Sequence, residues 1–289
     1  MKLVRFQHGD RIRIGQVHDD LVVSLATLDD LSALIGNWER HAAKGTLDEP
    51  TPGSGLKVED LALLAPASPP RNVICVGWNY LKHFNESIGK REGQEVDLPD
   101  HPTFFSKLPT TIAGPNDALP LHQAYTAKLD WEVELAVVIG KGGRDIKEKD
   151  ALKHVFGYTV ANDISARDLQ RAHGGQWFKG KSLDLTCPLG PVLVTADELG
   201  DPQNLEITCH VNGKLMQSGH TGRQIFTVAR VIAELSAGLT LLPGDLILTG
   251  TPEGIGAART PPIFLKDGDI VECGIEKIGV LRNLMQSTL

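Results

Sequence analysis

The sequence predicts an α+β fold in which strands outnumber helices, built as a β-rich rolled mixed sheet with a small β unit at its N-terminus. Short apolar runs bounded by glycine, proline, asparagine or aspartate recur along the chain, as strands joined by turns require. Helical periodicity is restricted to a few segments, chiefly residues 28–44, 166–173 and 227–237. At 289 residues the chain can bury a sizeable core, so one large domain with a small appendage is expected.

The first 65 residues are predicted to form the accessory unit, 1–65. Turn residues at 8–10 and 19–20 separate three apolar runs, which are typical of short strands. A helical stretch over residues 28–44 follows, and the prolines and glycines of residues 45–55 are typical of a linker. Nothing in this unit has the pattern of a catalytic site. Its strands are expected at residues 2–6, 12–17 and 21–24.

The main domain is predicted to cover residues 70–289. A proline-rich break at residues 66–70 precedes the apolar run at residues 72–77, which starts this domain. Asn212 followed by Gly213 is a strong signal for a tight hairpin between two strands. The C-terminal strands are expected at residues 205–211, 246–249, 269–274 and 279–284.

Two glutamates stand at the start of a long apolar run. Glu132 and Glu134 are two residues apart, so their side chains share one face of a strand, while Trp131 and Val133 share the other. Two carboxylates side by side next to a core repel each other unless one is protonated or a cation bridges them. The pair therefore points to a divalent metal, and the alternative is an exposed strand end whose acids face water.

A third acid, Asp163, follows a short apolar run at residues 156–161. Ser165 with Asp168 three residues later has the spacing of a helix cap, so Asp163 is expected at a junction between a strand and a helix. Three hard oxygen donors with no cysteine or histidine nearby favour Mg²⁺ or Mn²⁺ over Zn²⁺. Water and substrate would complete the coordination.

Four separated motifs occur in one order along the chain. They are Asp-Trp-Glu-Val-Glu at residues 130–134, Asn-Asp-Ile-Ser-Ala-Arg-Asp-Leu-Gln at residues 162–170, Gly-Lys-Ser at residues 180–182 and Thr-Gly-Thr-Pro-Glu-Gly-Ile-Gly at residues 249–256. Together they resemble the fumarylacetoacetate hydrolase family over about residues 70 to 289. Members of that family are hydrolases, decarboxylases, isomerases or lyases that act on 2-oxo acids.

The resemblance implies roles for the motif residues. Glu132, Glu134 and Asp163 would bind the metal, and Lys181 would contact a small anionic 2-oxo acid substrate. The architecture of the family also agrees with the rolled mixed sheet.

A homodimer is the expected assembly. The resemblance implies a dimer formed through the main domain, and the apolar runs at residues 133–139 and 246–249 offer more strand than a small monomer needs.

A short segment upstream pairs a histidine with a glutamate. If Asn79 caps a helix, His83 and Glu86 lie three residues apart on one helical face. A carboxylate beside an imidazole raises the pKa of the ring and orients it, so the pair can act as a general base for water. A surface contact is the alternative, but the matching pair activates water in hydrolytic members of the family. The polar segment at residues 87–99 is either a passive surface loop or a loop that orders over bound substrate.

Other polar residues complete the predicted substrate site. Arg167 and Gln170 lie in one family motif, and Thr251 lies in a glycine-rich loop whose amides could also hold a carboxylate. Arg167 could instead pair with an acid at the metal site, or form a structural ion pair, which is the role that is favoured. Lys107 is a weaker candidate than Lys181 for contact with a substrate carboxylate or an enolate oxygen.

Three residues depart from the commonest pattern of the family. Trp78 stands where relatives often have arginine or an aliphatic residue, His122 where proline is usual, and His220 where asparagine is common. Absence of an arginine next to the histidine–glutamate pair weighs against a second substrate carboxylate. The two histidines are interpreted as structural residues.

These residues together predict a hydrolase that cleaves a carbon–carbon bond in 2,4-diketo acids of the acylpyruvate or fumarylpyruvate type. His83 would activate water for attack on the distal carbonyl, and a pyruvate enolate would leave. The same enolate chemistry without water gives decarboxylation of oxaloacetate or isomerisation of an unsaturated 2-oxo acid. A non-catalytic relative that binds a 2-oxo acid or a protein partner is the alternative from another class, although such a relative would be expected to lack an acid or the dyad.

Composition excludes other classes of partner. A formal charge of -7 without a basic block gives no reason to expect nucleic acid or a membrane surface. No signal peptide is recognised and no apolar stretch is long enough to span a bilayer. The glycines at residues 140–143 lack the further glycine of a dinucleotide fingerprint, so no nucleotide cofactor is expected. Widely spaced cysteines predict reduced, buried thiols and a cytoplasmic protein: Cys75, Cys187, Cys209 and Cys273.

Overall fold

The computed structural model of the protein describes residues 1–19, 21–24, 34–35, 55–90 and 97–287. Its architecture is α+β, with mixed sheets and short helices, as the sequence predicts. The helices are α1 Leu81–Glu86, α2 Arg167–Ala172, α3 Phe178–Lys181, α4 Ala196–Leu199 and α5 Val228–Ser236. Turns of 3₁₀ helix cover Val58–Asp60, Pro109–Thr111, Glu148–His154 and Thr221–Arg223. The strands are β1 Lys2–His8, β2 Arg11–His18, β3 Leu21–Ser24, β4 Leu56–Lys57, β5 Ala62–Leu64, β6 Val73–Gly77, β7 Thr103–Lys107, β8 Ile112–Ala113, β9 Leu119–Pro120, β10 Leu129–Asp130, β11 Val133–Ile139, β12 Val155–Asn162, β13 Ser165–Ala166, β14 Cys187–Thr195, β15 Glu206–Val211, β16 Lys214–His220, β17 Leu246–Leu248, β18 Ile270–Ile275 and β19 Gly279–Gln286.

The largest sheet is organised around the antiparallel strands β11 and β12. Every residue of both strands is buried, because both faces of the sheet are covered here, and this explains their continuous apolar sequences. β17 lies against the other edge of β11 and pairs in parallel with β6, which makes the sheet mixed. The strand order is β4-β3-β2-β1-β14-β12-β11-β17-β6-β7, with β5 beside β1 and β8 beside β14.

A second sheet carries the C-terminal strands in the order β16-β15-β18-β19-β9. The predicted hairpin joins β15 to β16, and its residues Asn212 and Gly213 both have positive φ, 52° and 74°. This is the geometry of a type I′ turn, which suits the right-handed twist of the strands and favours Asn-Gly. Buried side chains of this sheet, including Cys209 and Leu281, belong to the same core as those of β11 and β12.

The N-terminal strands continue the main sheet. β1 pairs with β14, so that Lys2 lies opposite Val194. β5, which follows the predicted linker in the sequence, also pairs with β1. The predicted strands of this unit are present. Residues 34 and 35 are helical, whereas the rest of the predicted helix and most of the linker at residues 45–55 lie outside the described residues. The domain boundary near residue 65 remains a prediction.

The two apolar runs that suggested a dimer interface are buried within one chain. β17 lies between β11 and β6, and the side chains of residues 133–139 and 246–249 have at most 2% exposure. Both runs are therefore interior strands of the sheet of a single chain, and neither is available to pair with a partner chain.

The predicted helix caps are wrong in two places. Ser165 pairs with Asp130 in the short sheet of β10 and β13, so α2 begins only at Arg167. The Ser165 hydroxyl donates to the Asp163 carbonyl oxygen at 2.9 Å. Asn79 does not cap α1 either, because its amide donates to the Thr249 carbonyl oxygen at 2.8 Å. For Ser165 a strand pairing and a bond to a neighbouring carbonyl oxygen replace the cap, and for Asn79 a distant carbonyl oxygen does so.

Two further expectations concern the chain as a whole. Within the described residues, no helix is both long and apolar enough to cross a lipid bilayer. All four cysteines are buried and unbridged, as predicted.

Candidate functional site

The three predicted metal ligands converge where β11 begins and β12 ends. Asp163 follows β12 directly, and its amide donates to the Glu132 carbonyl oxygen at 2.8 Å. Pairing of Val133 with Asn162 sets this register. One carboxylate oxygen each from Glu132, Glu134 and Asp163 lies within 4.8 Å of the other two, and all three side chains are buried. The structure therefore brings the predicted triad together.

Three buried cations surround these acids. The Lys181 ammonium bridges two of them, at 2.7 Å from Glu132 Oε2 and 2.6 Å from Asp163 Oδ2. Lys107 lies 2.9 Å from the other oxygen of Asp163. Arg167 Nη2 lies 2.6 Å from Glu132 Oε1. Each oxygen of Glu132 and Asp163 thus faces a positive charge of the protein.

Glu134 has a different electrostatic environment. Among the described residues no lysine, arginine or histidine lies within ion-pair distance of its carboxylate. Burial raises the pKa of Glu134 well above its usual range, and the charges of Asp163 and Glu132 raise it further. Burial also opposes ionisation of Glu132, but the charges of Lys181 and Arg167 outweigh it and lower the pKa of Glu132 to about 2.

A divalent cation fits this arrangement. The charge of Lys181 offsets that of Glu134 only in part, because burial and the charges of Asp163 and Glu132 outweigh it, and a metal held by all three acids would neutralise the remaining charge. An all-carboxylate donor set fits Mg²⁺ or Mn²⁺. The buried acidic triad therefore supports the predicted class of metal.

The glycine-rich loop at residues 249–256 holds carboxylates of the protein itself. The Gly250 amide donates to Glu134 Oε2 at 2.6 Å, and the Gly254 amide donates to Glu86 Oε2 at 2.8 Å. The sequence predicts that amides of this loop bind a substrate carboxylate, whereas in the structure these two position side chains of the site. The loop therefore links the metal triad to the histidine–glutamate pair.

Asp130 is an anchor that sequence reasoning missed. Its Oδ1 accepts from the Gly256 amide at 2.7 Å, and its Oδ2 accepts from the Ala257 amide and from Arg167 Nε, both at 2.9 Å. Burial raises the pKa of Asp130, although the Arg167 charge opposes this. The signal was present, because Asp130 shares the period-two spacing of the two glutamates. Arg167 is thus fixed between Asp130 and Glu132.

The predicted pair on α1 is formed. His83 Nδ1 lies 2.9 Å from Glu86 Oε1, and the imidazole is buried. Trp78 stacks on this ring, with 5.7 Å between the ring centres and 26° between their planes. The φ of Trp78 is +57°, a left-handed conformation that costs a bulky residue roughly 1–3 kcal/mol. The imidazole is therefore oriented by a carboxylate on one side and an indole on another.

A cavity opens over the triad between α1, α2 and the glycine-rich loop. The predicted residues that line it are His83, Glu132, Glu134, Arg167, Gln170, Lys181 and Thr251. Asp163 and Glu86 lie behind this surface and contact it through Lys181 and His83. Of the predicted mobile segment at residues 87–99, residues 91–96 lie outside the described residues.

Two predicted substrate contacts have internal partners. The Thr251 hydroxyl donates to the Val133 carbonyl oxygen at 2.9 Å and accepts from Gln217 Nε2 at 2.8 Å, so it also braces the loop. Lys107 is fully buried and donates to the Ile164 carbonyl oxygen at 3.1 Å. Its place behind Asp163 makes it a positioning residue for that ligand, a role that depends on tertiary packing.

The two unusual histidines have structural partners. His122 Nε2 lies 2.8 Å from the Asp184 carbonyl oxygen, and His220 Nδ1 accepts from the Gly222 amide at 3.1 Å. Neither belongs to the acidic cluster, which agrees with their interpretation as structural residues.

Comparison with known proteins agrees with this site. A family profile described as "Fumarylacetoacetate (FAA) hydrolase C-terminal" matches residues 72–286. The chain is 42% identical over 295 residues to "Oxaloacetate tautomerase fahd2, mitochondrial" of Xenopus laevis, covering 98% of this chain and 89% of the relative. It is 48% identical over 227 residues to "Oxaloacetate tautomerase YisK" of Bacillus subtilis, covering 78% and 73%. The solved structure of fumarylacetoacetate hydrolase from Exiguobacterium antarcticum superimposes with a TM-score of 0.85 at 41% identity, over 100% of both chains. The chain therefore belongs to the fumarylacetoacetate hydrolase family.

Proposed function

We propose that this chain is a metal-dependent enzyme that interconverts the keto and enol forms of a short 2-oxo acid, with oxaloacetate as the first candidate. The observation that carries the proposal is the placement of an oriented imidazole and two acids of the metal triad, Glu132 and Glu134, on the walls of one cavity, with the third acid directly behind them. Relatives from an amphibian and a bacterium are named oxaloacetate tautomerases, which supports this reaction over the hydrolysis predicted from the sequence.

Tautomerisation requires that a proton leave C3 and that a proton reach the 2-oxo oxygen. In the tautomer in which His83 donates through Nδ1 to Glu86, Nε2 keeps its lone pair and can take the C3 proton, and the imidazolium so formed can deliver that proton to the 2-oxo oxygen and return to its starting state. The Lys181 ammonium faces the same cavity, and its pKa is raised by Asp163 and Glu132 although burial opposes this, so it remains charged beside the developing oxyanion. Gln170 and Arg167 complete the polar end of the cavity.

Glu132, Glu134 and Asp163 would hold Mg²⁺ or Mn²⁺, which supplies Lewis acidity at the 2-oxo end of the substrate. The walls of the cavity include the aromatic residues Trp78, Phe105 and Trp177. These aromatic and aliphatic walls limit the entry of water.

Hydrolysis of 2,4-diketo acids is the second candidate. The His83–Glu86 pair that can accept a proton from C3 can also accept one from water, and the superimposed structure from Exiguobacterium antarcticum is named a hydrolase. Decarboxylation of oxaloacetate needs only charge stabilisation of the enolate, so the same residues would support it as a slower side reaction.

A substrate panel tests these alternatives. Oxaloacetate tautomerisation, oxaloacetate decarboxylation and acetylpyruvate cleavage are measured with Mn²⁺ and after EDTA treatment, with rates of the buffer and free metal subtracted. We expect tautomerisation to have the highest kcat/KM and to fall about 100-fold or more without metal, since Lewis acid stabilisation contributes several kcal/mol. Turnover that is insensitive to EDTA, or faster cleavage of acetylpyruvate, would contradict the proposal. Binding without turnover of any of these compounds would favour a non-catalytic relative.

Assembly is proposed to be homodimeric, on the strength of family membership alone. The apolar runs of β11 and β17 do not contribute, so the interface must use other surfaces. Multi-angle light scattering at micromolar concentration should give twice the chain mass of 31.3 kDa. A monomer at that concentration would contradict this prediction.

A reducing compartment is proposed for the protein, because all four thiols are buried and unbridged. The sequence predicts the cytoplasm, whereas the amphibian relative is named as mitochondrial. Both compartments are reducing, so the proposal covers only this shared property.

A further inference from the structure

One buried side chain beside the site has no part in the proposed proton transfer. Asn79 is fully buried, and its Nδ2 donates to the Thr249 carbonyl oxygen at 2.8 Å and to the Phe226 carbonyl oxygen at 3.0 Å. Its Oδ1 accepts from the Phe226 amide at 2.7 Å. The side chain therefore joins the glycine-rich loop to the residues that precede α5, and it uses both its donor and its acceptor group to do so.

The carbonyl group that Asn79 binds shares a peptide group with the amide that binds Glu134. The peptide bond between Thr249 and Gly250 is trans, so its C=O and its N–H point in opposite directions. The carbonyl oxygen accepts from Asn79, and the N–H donates to Glu134 Oε2 at 2.6 Å. Because a peptide group is planar, holding the carbonyl oxygen on one side also fixes the direction of the N–H on the other. Asn79 therefore aims the Gly250 amide at a candidate metal ligand.

This peptide group needs a restraint, because glycine permits it to turn. Gly250 has a φ of +95°, and a residue without a Cβ adopts conformations on both sides of φ = 0 about equally. A turned peptide would present the Thr249 carbonyl oxygen to the Glu134 carboxylate and remove a charge-assisted hydrogen bond. A hydrogen bond to the carbonyl oxygen also polarises the peptide and strengthens its N–H as a donor. The bond from Asn79 thus favours the orientation that stabilises the Glu134 carboxylate.

We propose that Asn79 is a positioning residue for the metal, which acts through the peptide group of Thr249 and Gly250 to hold the Glu134 carboxylate in place as a ligand. This inference rests on the proposed function, because it takes the acidic triad as the metal site. Asn79 also directly precedes Tyr80, the residue at which α1 begins, and α1 carries His83. The metal ligand and the proposed base are therefore attached to one anchor.

Metal affinity tests the proposal, with a second buried asparagine as the matched control. Asn79→Ser should lower Mn²⁺ affinity about 10-fold or more, the scale for residues that orient metal ligands. Asn283 is also buried, and its Nδ2 donates to two carbonyl oxygens, at 3.2 Å to Gly114 and 2.9 Å to Asp117, away from the triad. Both serine variants should have a lower Tm because each loses buried hydrogen bonds, but Asn283→Ser should keep wild-type Mn²⁺ affinity.

The titrations are made by calorimetry at a temperature at which circular dichroism shows that both variants are folded. Wild-type Mn²⁺ affinity in Asn79→Ser, or an equal loss in Asn283→Ser, would overturn the inference. Failure of the proposed metal site is distinct, since the wild type itself would then not bind Mn²⁺.

The orientation of the peptide group can also be measured without metal. In ¹⁵N–¹H NMR spectra of the metal-free protein, the bond to a carboxylate should shift the Gly250 amide proton downfield. Asn79→Ser should move this signal upfield, and Asn283→Ser should leave it in place. A loss of metal affinity in Asn79→Ser with an unchanged Gly250 signal would show that the peptide group is not the route, and would contradict the proposal.

A second pair of variants acts on the same peptide group from its other side and serves if Asn79→Ser does not fold. A Cβ added at Gly250 would lie 2.7 Å from the Asn79 Cβ, so Gly250→Ala should separate the loop from Asn79 and lower Mn²⁺ affinity. Gly238 also has positive φ, +74°, but a Cβ there meets no atom within 4 Å. Gly238→Ala therefore carries similar backbone strain and should bind Mn²⁺ as the wild type does. Wild-type affinity in Gly250→Ala would show that the orientation of this peptide group does not matter.

Discussion

Glu134→Gln is expected to abolish tight metal binding while leaving the metal-free protein at least as stable as the wild type. The Glu134 carboxylate is buried beside two other acids, and among the described residues no cation lies within ion-pair distance of it, so the charge of Lys181 offsets its own only in part. Glutamine has nearly the same shape, and its carbonyl oxygen can still accept the hydrogen bond from Gly250. Removal of the charge therefore relieves repulsion from Glu132 and Asp163 without leaving a partner unpaired.

The loss of metal affinity should be large. Residues that merely orient metal ligands typically contribute 10–100-fold, roughly, so loss of a direct ligand should exceed that range. Calorimetric titration with Mn²⁺ measures the affinity, and thermal unfolding in the presence of EDTA measures the stability of the metal-free chain. Retention of wild-type Mn²⁺ affinity would mean that the acidic triad is not the metal site.

Glu132→Gln is the matched comparison and should behave differently. Glu132 is the partner of both Lys181 and Arg167, so its neutralisation weakens the pairing of two buried cations. Breaking a buried ion pair costs about 3–5 kcal/mol, and the remaining partners Asp163 and Asp130 should keep the effect near the lower limit. We expect a clear fall in Tm for this variant in EDTA. An equal fall in Glu134→Gln would mean that the Glu134 charge is compensated in the folded protein.

Two members of the metal triad were predictable because their spacing is local. Strand periodicity places Glu132 and Glu134 on one face whatever the rest of the chain does. Asp163 was found because it stands at the end of another buried run, and antiparallel pairing of β11 with β12 brings those ends together. The pairing of His83 with Glu86 was equally predictable from the sequence, because the two residues lie a short distance apart on one helix.

Contacts between distant segments were not predictable in the same way. Lys107 lies on β7, and its contact with Asp163 depends on how β7, β12 and the residues after it pack together. Asn79 has the local signature of a helix cap, but a buried carbonyl oxygen of Thr249 provides a competing acceptor. Local patterns state which bonds a side chain can make, and the fold decides between them.

The type of reaction was the property that the sequence predicted least well. An oriented imidazole, a lysine and an acidic metal site are compatible with hydrolysis, tautomerisation and decarboxylation, since each passes through an enolate or its equivalent. Sequence motifs favoured hydrolysis because the His83–Glu86 pair can activate water. The named relatives favour proton transfer to and from carbon, which the same pair can perform.

Replacement of His83 should separate the reactions that need a base from the one that does not. His83→Ala is expected to lower kcat/KM for oxaloacetate tautomerisation about 100-fold or more, the usual scale of a positioned general base. Acetylpyruvate cleavage, if present, should fall by a similar factor because attack by water also needs a base. Decarboxylation needs only stabilisation of the enolate and should fall far less.

Two further variants define what the imidazole contributes. Alanine also removes the stacking partner of Trp78, so His83→Gln is the better test, because its amide fills more of the space and can bond to Glu86 without supplying a basic nitrogen. It should show the same selective loss. Glu86→Ala should reproduce this selectivity more weakly, because the imidazole remains but loses one of its two orienting contacts. Asn85→Ala, at an exposed position on the same helix, is the control and should retain full activity.

Metal binding decides how these results are interpreted. His83 is not one of the three candidate ligands, so Mn²⁺ affinity measured by calorimetry should be unchanged in His83→Gln. With the metal bound, a selective loss of tautomerisation assigns His83 to proton transfer. An equal fall of tautomerisation and decarboxylation, with wild-type Mn²⁺ affinity, would show instead that His83 serves substrate binding, and its role as the base would be wrong.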